Sequence, residues 1–174
     1  MIPVLESERL VLRGWRKDDF SAYAAFRADP ERTRYIGGPQ AEWNAWTRFT
    51  SMIGEWALNG YGLFAVDSKE DGATVGFAGL WHPPYIDGPE LAWSLYAGFE
   101  GNGYALEAAR CAQVWAREKG LPPLISFVHP ENLPSQAVAE RLGAMPLPPT
   151  TLRGEPRLRF RHIMPAQNSA KGTE

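Results

Sequence analysis

Two glycines in a turn between an apolar stretch and a long helical pattern constrain this chain more than any other feature. The stretch is Glu90-Leu91-Ala92-Trp93-Ser94-Leu95-Tyr96, the turn Glu100-Gly101-Asn102-Gly103-Tyr104-Ala105, and the helical pattern Leu106 to Lys119. A strand that enters a helix through such a turn aims unpaired backbone N–H groups and the positive end of the helix dipole at one point. Glycine lets an anion approach that backbone, because no side chain stands in the way. The turn is therefore a place to hold a phosphate or pyrophosphate. Beyond the helix, Leu124–Val128 is a nearly continuous apolar run, the pattern of a buried parallel strand.

The remaining composition narrows the class. A chain of 174 residues is one domain's worth and can bury a sizeable core unaided. Its formal net charge of −2 gives no general attraction to nucleic acid or to an anionic membrane. The single cysteine, Cys111, excludes an internal disulfide and a cysteine zinc cluster, and the dispersed His82, His129 and His162 lack metal-ligand spacing. No apolar run approaches the roughly 20 residues that span a bilayer. A cytoplasmic, metal-free enzyme or binding protein is expected.

Along the chain the organisation is α/β. Arg9–Arg13 alternates as a strand, and Asp18-Asp19 opens a helix that Asp29-Pro30 ends. A helix over Gln40–Asn59 carries Trp43, Trp46, Phe49, Ile53 and Trp56 at helical spacing, which reads as a mostly core stripe. Strands follow at Leu63–Val66 and Val75–Leu80, then the proline-rich loop His82–Pro89. In the second half, Ala105, Ala108, Ala109, Ala112 and Ala116 form a small-residue stripe that lets the helix lie close on a sheet. Asn132 caps a short helix that Gly143 ends, and Arg157–Met164 alternates as a last strand. One domain over residues 1–165 and a disordered tail over 166–174 are expected.

Taken in order, these pieces resemble a known family. Glu8-Arg9-Leu10-Val11-Leu12-Arg13 with Trp15, Asp18-Asp19 and Asp29-Pro30 is similar to the N-terminal signature of the Rim-type protein acetyltransferases, a branch of the GNAT superfamily of acyl-CoA N-acyltransferases. Gly101-Asn102-Gly103-Tyr104-Ala105 with Glu107-Ala108 resembles its acetyl-CoA pyrophosphate loop, and Pro130-Glu131-Asn132, Ser135 and Glu140–Ala144 its next motif. The resemblance implies a mixed α/β GNAT fold. Its mostly antiparallel sheet of about seven strands would splay between the fourth and fifth, here Glu90–Tyr96 and Leu124–Val128. Acetyl-CoA would enter the splay, its pantetheine pairing with the backbone around Trp93 and Leu95 like an added strand. Gly101, Asn102, Gly103, Tyr104 and Ala105 would supply N–H groups to the pyrophosphate. One departure is Glu100, where the superfamily often has Gln or Arg. A carboxylate turned inward would repel the pyrophosphate, so a solvent-facing Glu100 is expected.

The implied chemistry is direct attack of a primary amine, from a protein N-terminus or a small molecule, on the thioester. It needs a neutral amine, a polarised carbonyl and a proton for the leaving thiolate. An α-amino group, with a pKa of about 7.7–8.0, needs less help from a base than a lysine near about 10.4. Glu90 is the first candidate base, by its place at the start of the strand on one face with Ala92, Ser94 and Tyr96. A surface glutamate at a strand end leaves the same signature. Ser135 is the candidate donor to the thiolate by its motif position, and it also suits a first-turn helix residue bonded to backbone. Asn132 suits both an N-cap and a pantetheine contact.

Other residues favour quieter roles. Cys111 reads as a small buried hydrophobe. His82 borders the acceptor side and competes as a base with an ordinary loop histidine, while His129 shapes a strand-to-helix turn. Arg32, Arg34 and Tyr35 lie in the loop that borders the acceptor in this family, and also read as solvated loop residues. Two other classes stay open: a non-catalytic acyl-CoA-binding sensor or interaction module, and a dinucleotide-binding oxidoreductase. The second lacks the third small residue of its fingerprint and the acidic residue about 20 positions on. A homodimer is possible on general grounds.

Overall fold

The computed structural model describes residues 1–163, so the tail and the end of the expected last strand lie outside the described residues. Eight strands form one sheet in the order β1-β2-β3-β4-β5-β6-β8-β7. The strands are β1 (Leu5–Glu6), β2 (Leu10–Arg13), β3 (Leu63–Ser68), β4 (Thr74–Trp81), β5 (Glu90–Leu95), β6 (Leu124–Val128), β7 (Met145–Leu152) and β8 (Glu155–His162). All neighbours pair antiparallel except β5 and β6, which run parallel.

Helices cover both faces. The helix α4 (Tyr104–Glu118) lies on one face. Its stripe behaves as expected, with Ala108, Ala109, Ala112 and Ala116 at most 1% exposed against Leu10, Phe64, Leu80 and Leu91. On the other face sit α1 (Phe20–Ala28), the single-turn α2 (Pro30–Thr33) and α3 (Glu42–Asn59). There Tyr23, Phe26, Phe49 and Met52 bury an aromatic layer against Phe77, Trp81 and Tyr96 of the sheet. The last helix, α5 (Leu133–Arg141), packs Ala139 near Val128 and Phe160.

Strand alternation splits β5 between these layers. Leu91, Trp93 and Leu95 join the α4 side, and Ala92 joins the side of α1 and α3, with Tyr96 just past the strand end. Two sequence expectations need correction. The inner face of α3 is Ala45, Phe49, Met52 and Trp56, whereas Trp43 is 71% and Trp46 42% exposed. The apolar residues of α3 run wider than its buried stripe, and spacing alone cannot choose the edge. The strand β7, not expected, contains Pro146, Pro148 and Pro149. It lies at the sheet edge, where a missing N–H breaks no interior ladder.

Candidate active site

The parallel seam between β5 and β6 opens almost at once. A single register pair, Glu90 with Ile125, joins them, whereas β4–β5 and β6–β8 are laddered along their lengths. At the closed end the Ile125 N–H donates to the Pro89 carbonyl at 3.2 Å. One residue further, the Ser126 hydroxyl donates to the Leu91 carbonyl at 2.6 Å. Ser126 lies 2.8 Å from Nε2 of His162, which is fully buried, and Nδ1 of His162 lies 3.4 Å from the Gln113 amide nitrogen. With Ser126 committed as a donor, Nε2 must carry the proton and Nδ1 accepts from Gln113. Burial pushes the His162 imidazole down to about 4, so the ring is neutral at physiological pH.

Glu90 stands where the seam closes, half-buried and on the side of α1 and α3. Burial pushes its carboxyl up to about 7, against the Phe127 N–H and the charges of Arg48 and Arg157, which pull it down. Trp93 and Leu95 are half-buried further along the strand, where it no longer pairs with β6.

Past the open end comes the glycine turn. Gly101 and Gly103 both adopt left-handed backbone, with φ of 80° and 79°. A Cβ at Gly101 would meet nothing within 4 Å, and one at Gly103 only the Arg9 guanidinium at 3.5 Å. The turn is thus an exposed cradle at the start of α4, with Gly103 as the N-cap and Tyr104 and Ala105 half-buried behind it. No side chain of α4 competes for its first N–H groups, since Gly103 has none to cap with. Arg9 braces the turn from β2's approach: it donates to the Asn102 carbonyl at 3.0 Å, pairs with Glu107 at 2.7 Å and covers the Tyr104 ring at 4.9 Å. Glu100 does not simply face solvent. It ion-pairs with Arg32 and accepts from the Gly98 N–H at 2.8 Å, so its charge is held by partners.

Comparison with known proteins settles what such a splay belongs to. The sequence matches the acetyltransferase (GNAT) domain family over residues 9–145. The chain belongs to the GNAT acetyltransferases. It is similar to an acetyltransferase from Agrobacterium tumefaciens at 40% identity, over 94% of this chain and 95% of that one, with a TM-score of 0.87. A GNAT-family acetyltransferase from Bordetella pertussis matches at 25% identity over 92% and 99%, TM-score 0.78. RimL, the ribosomal L7/L12 alpha-N-protein acetyltransferase solved with coenzyme A, shares the fold at 14% identity over 92% and 98%, TM-score 0.74. The protein is therefore an acyltransferase of a family that uses acetyl-CoA.

Within this GNAT frame the other sequence candidates take definite places. Asn132 is the N-cap of α5, its Oδ1 accepting from the Ser135 N–H at 3.2 Å, and its Nδ2 meets no acceptor among the described residues. Ser135 is half-buried, and its hydroxyl makes no hydrogen bond among the described residues. His129 shapes its turn by accepting from the Glu131 N–H at 3.1 Å, and its ring stacks on Tyr35 at 5.0 Å. His82 is engaged by the Tyr61 hydroxyl at 2.6 Å. Cys111 is half-buried, and burial pushes its thiol up, away from nucleophile chemistry. Arg34 pairs with Glu31 at 3.2 Å. Among the described residues no cluster of three metal-ligating side chains occurs, and no helix is long and apolar enough to cross a membrane.

Two groups near Glu90 escaped the sequence reading. Arg48 of α3 lays its guanidinium 3.7 Å over the Trp81 ring, and Trp81 is Glu90's register partner across β4–β5. Arg157 of β8 donates to the Tyr35 carbonyl at 3.5 Å. Nothing local in the sequence distinguishes either from a surface arginine.

Proposed function

We propose that the protein transfers the acetyl group of acetyl-CoA to a primary amine, the N-terminus of a protein or a small-molecule amine, with Glu90 as general base. The observation that carries this is Glu90 at the closed end of the splay with its carboxyl pushed up to about 7. A base of that strength lies within about one unit of an α-amino group, where proton transfer is most effective at neutral pH. The exposed glycine turn supports a pyrophosphate held by N–H groups of Gly101 to Ala105, with Trp93, Leu95 and Asn132 along the pantetheine. Because Arg32 and the Gly98 N–H occupy Glu100, its charge is no argument for a non-catalytic module.

The amine nitrogen attacks the thioester carbonyl and the C–S bond breaks. Glu90 receives the amine's proton, directly or through water. The Ser135 hydroxyl relays one to the thiolate as it regains a proton through water from Glu90, which restores both groups. Structural kinship with RimL at 14% identity is kinship of fold, so a ribosomal-protein N-terminus is one acceptor class to be tested beside amino acids and polyamines.

The test is CoA-thiol release with acetyl-CoA against N-terminal peptides, amino acids, polyamines and aminoglycosides. Acceptor-dependent release is expected, and at constant free-amine concentration its rate should fall as pH drops through about 7, where Glu90 takes up a proton. Glu90→Gln should lower the rate by about 100-fold, the lower end of general-base contributions, and erase that limb. Unchanged pH dependence in the variant removes Glu90 from the role. Ser135→Ala should slow turnover without weakening acetyl-CoA binding; a change confined to binding assigns Ser135 to the cofactor instead.

A further inference from the structure

Arg27 of α1 is 7% exposed, and its Nε has no hydrogen-bond partner among the described residues. Burial draws its guanidinium pKa down, and the nearby charge of Arg48 adds to that. The Tyr23 hydroxyl is common to both: burial pushes it up, and Arg27 and Arg48 each pull it back. Arg48 in turn lies over Trp81, the residue paired with Glu90. Among the described residues, neither arginine ion-pairs with a carboxylate. Two guanidiniums thus gather between α1, α3 and the sheet, on the face of β5 that carries Glu90.

This is an expensive arrangement. A guanidinium keeps its charge and carries five N–H donors, and burying it is offset only by an anion or by acceptors. Stacking on Trp81 gives Arg48 a cation–π contact and the Tyr23 hydroxyl engages one donor, but no carboxylate among the described residues meets the rest. Like charges held together add repulsion. Such a fork matches one chemical group best, a carboxylate bound through two parallel N–H···O bonds. Glu90 itself does not fill the part, since it forms no ion pair with either residue.

We propose that Arg48 and Arg27 form a carboxylate-binding subsite beside Glu90, so that the acceptor is an amine that also carries a carboxylate. The inference rests on Glu90 marking the acceptor side, as proposed above. The carboxylate comes from one of two sources, the α-carboxylate of a free amino acid or an acidic side chain next to a peptide N-terminus. In either case the subsite positions the amine over the base and excludes acceptors that lack the second group.

Acetyl transfer by the wild-type protein, compared at equal concentrations of free amine, tests this with matched pairs. One pair is L-methionine and L-methioninamide; the other is two peptides that differ by Asp or Asn at the second position. The acid of at least one pair should exceed its neutral partner by roughly 10-fold or more in kcat/KM, a charge-assisted hydrogen bond's worth, carried by KM. Preference in the first pair identifies a free amino acid, in the second an acidic peptide. In Arg48→Gln the discrimination should collapse toward one, and Arg48→Lys should retain part of it. Equal rates for acid and neutral partners in the wild type overturn the subsite while leaving the transferase standing. An Arg48→Gln variant that slows both partners equally also overturns it, since Arg48 then only tunes Glu90. No thiol release with any acceptor overturns the transferase reading and the subsite together.

Discussion

Arg13 and Arg27 are buried to the same depth, 6% and 7% exposed, and their surroundings treat them in opposite ways. Arg13 of β2 makes a two-armed contact with Asp19, both arms 2.8 Å, and a second with Asp67 at 2.5 and 3.0 Å. Its one remaining donor reaches the Gly14 carbonyl. Among the described residues Arg27 has no carboxylate partner and an orphan Nε. The first is a finished structural joint between β2, β3 and the start of α1. The second lies between α1 and the sheet and, with Arg48, meets no carboxylate among the described residues. The difference separates an arginine that holds the fold from one that holds a ligand.

Breaking the finished joint should give the largest effect. Asp19→Ala leaves Arg13 buried with half its partners, and removing one member of such a pair costs about 3–5 kcal/mol. It also removes the acceptor of the Arg16 N–H, 2.7 Å away. Urea unfolding should show the loss with the slope unchanged. The pH dependence follows. Burial works to raise the Asp19 carboxyl, but Arg13 and the Arg16 N–H outweigh it and hold it below its ordinary value. This stability is present above the unfolded carboxyl's pKa and is lost as pH falls below it. A loss under about 1 kcal/mol would place Arg13 with Arg27 as a tolerated cation, and the contrast would fail.

What the sequence revealed divides along the same line. The glycine turn, the alanine stripe of α4, the Asn132 cap and the seat of Glu90 were legible because each depends on local spacing. The splay followed from the family resemblance. By contrast, β7 was hidden by Pro146, Pro148 and Pro149, which only its edge position excuses. The exposed Trp43 and Trp46 carry the same periodicity as buried Phe49. Ion pairs set by the fold, such as Arg32 with Glu100, and buried cations such as Arg27 have no sequence pattern, because partners meet across long separations.

A middle-sized effect is expected at the seam itself. Ser126→Ala leaves the buried Leu91 carbonyl and the His162 N–H unpartnered, at a cost of about 1–3 kcal/mol. The His162 imidazole has a folded pKa of about 4, below its unfolded value of 6.5. The unfolded chain therefore binds the proton first, and stability is lost as pH falls from 6.5 towards 4. Glu90, raised to about 7, pulls the other way over the same pH range, so the test is made in a Glu90→Gln background. Thermal melts should fall there and flatten when His162→Gln is added. A flat profile in the Glu90→Gln background would mean that His162 is not held neutral by burial.

The smallest stability change should come from the other arginine, and its smallness is the point. Arg27→Met removes a charge with no carboxylate partner and fills the volume with apolar atoms, so relief of desolvation opposes the lost stem packing. Without acceptor, the midpoint of urea unfolding should move by less than about 1 kcal/mol in either direction. With saturating carboxylate-bearing acceptor present, the wild type should gain stability by ligand linkage and the variant should gain much less. Arg13→Met serves as the reference, expected to be strongly destabilised under both conditions. If Arg27→Met unfolds the protein as severely as Arg13→Met, the two cations serve the same structural purpose. If it instead leaves stability intact and abolishes the acceptor's stabilising effect, the same burial carries two purposes, and the partner of each charge decides which.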